Sequence, residues 1–363
     1  MTAAETTLPT DAVQALAGRW LARLGDDDFV CSPAGLWLAL GAVAAGAGGD
    51  TAKEFGALLG VSGEAAAGAV TGVARALGAN DALAVATGVW SRVSVFEAYR
   101  EALPGVGFGV LDGQGPIDAW VRAATDGMID RLPLALGTGA DLALVSALAL
   151  KAVWRARFAP SRTRDAPFTD GYGDTADVPT MHQLIPASWA WRVGGATVVE
   201  LPCEGPEETA LRVRFVLGEE RDGPAEALPA AWAPPRRREP VRAEAVDLSL
   251  PRFSVRTRID LCAQLAGLGV GAATDPARAD FSGLSPVPLH ISDAAQEAYV
   301  RVAEEGVEAA AVTAVVMTRG AAPPRIKQTE PIAFDRPFGF AVLDAAGETP
   351  LFAGWQSSAP EAR

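Results

Sequence analysis

Residues able to carry out catalytic chemistry are few and scattered in this 363-residue chain. The only two histidines, His182 and His290, lie far apart, and neither sits in a nucleophile-elbow or metal-ligand pattern. His182, in Met181-His182-Gln183, reads as a structural residue of a strand, and His290 takes no role. Cys31, Cys203 and Cys262 are widely spaced, which suits buried free thiols better than a disulfide framework or a metal cluster. The turn Gly46 to Gly49 lacks the Gly-Lys-Ser/Thr ending of a phosphate loop. The expectation is a protein that is not an enzyme, with no metal site and no cofactor.

A chain can also be the object of chemistry, and residues 304–331 have that character. They open with Glu304-Glu305-Gly306, pass through small side chains and end in Pro323-Pro324 and the polar tract 325–330. No stripe of large apolar residues anchors a packed helix, and the stretch is too long for an ordinary connection. Local composition alone prefers an Ala-rich helix or a linker. Read as a strand, alternate residues share a face. Val307, Ala309, Ala311, Thr313, Val315 and Met317 then lie on one side. Glu308, Ala310, Val312, Ala314, Val316 and Thr318 lie on the other. None is too large to slide between neighbouring strands. Such a segment can live as an exposed loop and, once freed at one end, enter a sheet as a new strand.

The elements that must position this stretch follow from spacing. Residues 11–24 have helical periodicity, with Asp11 as an acidic cap. Residues 29–31 form a short strand, and Ser32-Pro33 then starts a helix apolar almost all round, hence deep in the core. A further helix runs from Asp50-Thr51 to near Leu59. Residues 83–90, 142–158, 196–203, 211–217 and 248–256 read as strands or strand and turn. Helices are expected around 225–232 and at 260–268, and a long strand, 289–303, feeds the 304–331 stretch. Without internal repeat or linker, a single domain over 11–363 follows a flexible segment, 1–10.

With 49% hydrophobic and 21% charged residues the chain can bury a sizeable core. A net charge of -13, from 31 basic and 44 acidic side chains, argues against a nucleic-acid surface, which needs clustered cations. Arg236-Arg237-Arg238 is the only dense basic run and reads as a solvated turn. Residues 1–10 lack a secretory signal and no apolar run is long enough to span a bilayer. The sequence as it stands therefore suggests a cytoplasmic protein away from membranes, with export left open. Heavy Ala, Gly and Arg usage points to a GC-rich, bacterial genome.

The octapeptide Glu304-Glu305-Gly306-Val307-Glu308-Ala309-Ala310-Ala311 resembles the hinge of the reactive-centre loop of serpins, the suicide inhibitors of serine proteases. Other segments resemble the family in the same order. They include residues 29–60, and Trp120-Val121 with Thr125-Asp126-Gly127 in 117–129, the helix expected across the front of the main sheet. Ser146 to Trp154, Pro167-Phe168, Val178 to His182 and Leu250-Pro251-Arg252-Phe253 follow. Asp280 to Leu284, Phe334 to Phe338 and Pro350 to Gly354 complete the set, and the likeness spans about Leu16 to Pro360.

The resemblance implies an α+β fold of three β-sheets and about nine helices, with an exposed reactive-centre loop at 304–331. It implies a partner, a trypsin-like or subtilisin-like serine protease, trapped as a covalent acyl-enzyme by a monomeric inhibitor. The family's register places the cut bond after Gly320. Arg319, one residue earlier, is the better bait for a pocket holding an aspartate, with Met317, Thr318 and Arg325 also in range. A polar cluster that locks the sheet centre maps to Ser32, Ser146 and Gln296, where the family also uses asparagine and histidine. The top of the sheet maps to Trp154 and to the ion pair of Arg252 with Glu304. The alternative is a non-inhibitory serpin: a carrier, a chaperone or a plain protease substrate.

Overall fold

The computed structural model describes residues 8–131, 141–307 and 328–361. Ser32 and Pro33 act as their types dictate: the serine hydroxyl accepts from Gly35 N at 3.0 Å, and the proline fills the first helical position. The helix they start is buried at every residue, which is why it carries no polar face. Eight α-helices are present among the described residues: α1 (Thr10–Leu21), α2 (Pro33–Ala44), α3 (Gly49–Leu59), α4 (Gly63–Gly78), α5 (Glu97–Glu101), α6 (Gln114–Ala124), α7 (Pro224–Ala227) and α8 (Cys262–Leu265).

Three sheets complete the α+β architecture. One has the order β1 (Phe29–Cys31), β18 (Pro350–Gln356), β17 (Phe338–Leu343), β10 (Arg212–Leu217), β9 (Ala196–Pro202), β8 (Ala190–Val193) and β11 (Glu239–Pro240). A second runs β16 (Thr329–Ala333), β12 (Ala245–Pro251), β7 (Thr175–Pro186) and β6 (Arg164–Thr169). The main sheet runs β3 (Gly107–Val110), β2 (Leu83–Ser91), β4 (Leu142–Leu150) and β14 (Asp293–Ala303), and β13 (Phe253–Asp260) pairs with the far side of β14. At one end, called the top here, β15 (Gly306–Val307) and β5 (Ala152–Val153) close the sheet.

Several sequence expectations shift. Leucine to arginine over 248–256 is not one strand: β12 and β13 belong to different sheets and part at Arg252, whose side chain is drawn to Glu304. The long strand before the hinge starts at Asp293 rather than 289. The helix expected over 117–129 is α6, which ends at Ala124 because Asp126 and Gly127 turn left-handed (φ 50° and 77°). The helix expected over 260–268 is four residues of α8 followed by a 3₁₀ turn. The one expected around 225–232 is likewise α7 running into a 3₁₀ turn. Thr10, not Asp11, opens α1, and the carboxylate lies in its first turn. Of the three free thiols, Cys31 and Cys203 are buried and Cys262 is only half-buried. Helix α4 has no counterpart in the sequence reading, since its buried Ala66, Val70, Val73 and Leu77 are diluted by small residues.

One feature of the main sheet decides what it can do. β4 and β14 are direct neighbours and run parallel, in register from Ala143 opposite Asp293 to Ala149 opposite Tyr299. A strand returning from the end of β14 runs antiparallel to both. It therefore has the right direction to fit between them.

Candidate functional site: the seam between β4 and β14

At the top of this seam the chain turns back on itself through Glu304 and Glu305, and β15 enters between β14 and β5. Gly306 lies opposite Ala303 and Val153, and Val307 opposite Val302 and Ala152, antiparallel on both sides. Gly306 is the residue that makes this possible: a Cβ there would stand 2.8 Å from Val153 Cα and closer still to the Ala152 carbonyl. Val307 is fully buried. The first two residues after the turn thus occupy the sheet in the intact chain.

Three successive carbonyls hold the root of that turn. The indole of Trp154 donates to the Ala303 carbonyl at 2.9 Å, Phe158 N donates to Glu304 O at 2.9 Å, and Trp154 N donates to Glu305 O at 2.9 Å. Trp154 can serve because its single donor points at the chain while its ring is buried against Phe215. The Glu304 side chain adds a fourth tie. Its Oε1 accepts from Arg252 Nε at 2.8 Å, from the second guanidinium nitrogen and from the Thr163 hydroxyl. Trp154, Arg252 and Glu304 are therefore brought together as one clamp. Thr163 escaped the sequence reading because nothing in its neighbourhood marks a hydroxyl that reaches across the sheet.

Burial alone would raise the Glu304 carboxyl, but the Arg252 guanidinium and the Thr163 hydroxyl outweigh it and hold the group below the usual glutamate value. A carboxylate depressed in the folded state stabilises fully above its unfolded value and loses that contribution as pH falls through the folded one. The clamp is thus expected to weaken below about pH 4.5. Acid titration of hydrogen exchange at the Trp154 and Phe158 amides should show this loss in the parent protein. In Glu304→Gln the same profile should be flat over that window.

Halfway down the seam lies a second polar group in an apolar surrounding. Ser32, Ser146 and Gln296 are all essentially inaccessible. Gln296 Oε1 accepts from Ser32 N at 2.7 Å, while its Nε2 donates to Ser32 O at 3.1 Å and to Ser146 Oγ at 3.4 Å. The Ser32 hydroxyl caps α2 and also donates to Leu351 O at 2.6 Å. Four elements meet here: α2, β4, β14 and β18. The Gln296–Ser146 bond crosses the seam itself, since these residues are register partners. Gly35 was missed by the sequence reading. A Cβ there would strike Leu148 Cδ1 and meet Ser32 Oγ at 2.9 Å and Ser146 Oγ at 3.1 Å, so Leu148 and the cluster together leave no room for a side chain.

The remaining sequence candidates, Glu308, Ala309, Ala310 and Ala311 of the hinge with Arg319 and Gly320 at the reactive bond, lie outside the described residues. His182 is built into β7, where Nδ1 pairs with Ser249 Oγ at 2.9 Å. Burial, reinforced by Arg164, lowers its pKa. Among the described residues no group of three metal-ligating side chains converges.

A parallel seam with its own downstream chain already seated at the mouth defines a sheet fitted to receive a further strand from the same molecule. Comparison with known proteins gives this arrangement a family. The family model described as serpin (serine protease inhibitor) matches residues 10–358, and the chain belongs to the serpin family. Serpin-Z2B of rice is 31% identical over 398 residues, covering 94% of this chain and 95% of that protein. Among solved structures, the thermophilic serpin tengpin in its native state superposes with a TM-score of 0.83 at 22% identity, covering 99% of this chain and 95% of that one. Human thyroxine-binding globulin complexed with thyroxine gives 0.81 at 24% identity, covering 98% and 100%. Members of this family are characteristically not catalysts, and the chain is no enzyme.

Proposed function

We propose that the chain is a suicide-substrate inhibitor of serine proteases. In this reading a protease attacks the 304–331 loop and forms the acyl-enzyme. The freed hinge then inserts between β4 and β14, carrying the protease with it before water can release it. The single observation behind the proposal is β15: two hinge residues are already paired at the mouth of a parallel seam of the right direction. Extending that register to the cleaved chain puts Glu308 between Lys151 and Arg301. It puts Thr313 between Ser146 and Gln296 on the core face. A carboxylate meets two cations at the first new step, and a hydroxyl reaches the buried polar cluster midway. The energy to drive insertion is stored in the intact fold, which is metastable in this reading.

The bait is Arg319, with Gly320 the second choice. A trypsin-like or subtilisin-like enzyme is the partner, met by a monomer carrying its hinge, clamp and central cluster in one domain. Incubation with trypsin-like, elastase-like and subtilisin-like proteases should give a complex that survives boiling in SDS, with the released C-terminal fragment beginning at Gly320. Arg319→Ala should abolish the complex with the trypsin-like enzymes while leaving the fold intact. Cleavage at every tested enzyme without complex, and without a gain in thermal stability, would remove the inhibitory reading.

That outcome would favour a non-inhibitory serpin, a carrier, chaperone or plain substrate. The likeness to thyroxine-binding globulin and the glutamine-serine pair in the central cluster support this second reading. A bacterial source rests on Ala, Gly and Arg usage alone, and the relatives named above include proteins of rice and human. Cytoplasmic residence likewise rests on the sequence reading only.

A further inference from the structure

The seam between β4 and β14 is crossed on the front of the sheet by α6 and the turn behind it. Ile117 and Val121 of α6 and Ile129 beyond it form one buried cluster with Ala143, Val145 and Ala147 of β4 and Ala295 of β14. The same segment thus packs on both strands that must part. At the β2–β3 side Trp120 stands edge to face with Trp90, 6.1 Å between ring centres, on a floor of Gly88 and Gly107 where a Cβ would strike its ring. At the other side the turn is stiff. Thr125 Oγ1 donates to Val121 O at 2.8 Å and accepts from Ile129 N at 3.1 Å, and Met128 N donates to Thr125 O at 2.9 Å. This turn presents the Met128 carbonyl outward, and Arg256 of β13 donates to it at 3.3 Å.

Arg256 does not act alone. Its other guanidinium nitrogen donates to Glu297 Oε1 of β14 at 2.7 Å, and the guanidinium lies 4.6 Å from the centre of the Tyr299 ring. Glu297 is wholly buried and also meets Arg258 at 3.3 Å. One cation therefore joins the buried carboxylate of β14 to the backbone that crosses over from β2 and β3.

The α6 segment lies as a strap over the seam, as the family resemblance expects, and we infer that Arg256 is its latch, a positioning residue that sets how readily β4 and β14 separate. The inference rests on the insertion reading above, because separation matters only if a strand enters. While the latch is closed, the strap resists opening from both sides. Once Arg256 lets go of Met128, α6 can lift with β2 and β4 and leave β14 with β13.

The test compares Arg256→Met, Arg256→Lys and Arg258→Met in the full chain. Two readouts are taken: hydrogen exchange of β4 and β14 amides without protease, and the ratio of SDS-stable complex to cleaved inhibitor with trypsin. Arg258→Met removes a partner of Glu297 without touching the strap. Arg256→Lys keeps a cation beside Glu297 but cannot bridge to Met128, and it decides the matter if Arg256→Met fails to fold. Both Arg256 variants should raise exchange along the seam on the order of tenfold, the scale of a lost charge-assisted bond, and shift the ratio toward complex. Arg258→Met should do neither. Equal effects at both positions would assign the change to an uncompensated Glu297 and overturn the latch, as would unchanged exchange in the Arg256 variants. Faster exchange with no complex in any protein, the parent included, would leave the strap standing and remove the inhibitor.

Discussion

Val307→Arg is expected to turn the proposed inhibitor into a substrate, cleaved at the parent rate but with complex formation reduced on the order of a hundredfold. Val307 is fully buried between Val302 and Ala152. A cation forced into that place is stripped of its water between two apolar neighbours. The desolvation penalty, several kcal/mol after relaxation, falls on the first step of insertion, and each 1.4 kcal/mol is about a factor of ten in the competition with deacylation. Val307→Thr, which keeps shape and adds only a hydroxyl, should lose far less. The intact arginine variant should also withdraw β15 from the sheet, read as a change in fluorescence as Trp154 loses its Ala303 and Glu305 partners. Parent-level complex from Val307→Arg would show that the hinge does not enter by this route.

Much of the scaffold behind that prediction is legible in the sequence, for reasons that differ from residue to residue. Ser32-Pro33 signals a helix start by local chemistry, and the fully apolar run behind it can only be buried. The alternation after Gly306 signals a strand by period, and the two described residues of it are paired as one. What the sequence hides is partnership at a distance. Thr163 is an ordinary threonine until the fold carries it to Glu304, 141 positions away. Arg256 reads as one more polar strand residue, and only the path of α6 places a carbonyl above it. The break at Arg252 is hidden for a related reason, because residues 248–256 keep strand character throughout while the chain changes sheets. Clamp, central cluster and the helix over the seam were reachable through family resemblance, whereas the Arg256 latch is specific to this packing.

The second large effect is expected from Gln296→Leu. Leucine is close to glutamine in volume, so the change removes hydrogen bonds rather than making a cavity. Ser32 N–H loses its acceptor and Ser146 its partner across the seam, both in a site that water does not reach. Leaving buried polar groups unpaired should destabilise the intact protein by about 2–4 kcal/mol, read as a lower denaturation midpoint at unchanged slope. The cleaved protein should lose less. In the extended register Thr313 arrives beside Ser146 and supplies the hydroxyl that leucine cannot, so cleavage should raise the melting temperature of the variant by more than that of the parent. Adding Thr313→Val to the leucine variant should cancel that extra gain and leave the intact form unaffected. Equal losses in intact and cleaved protein would mean that the inserted strand never reaches the cluster. The seam would then open only at its top, and the central glutamine would be a packing residue with no part in the transition.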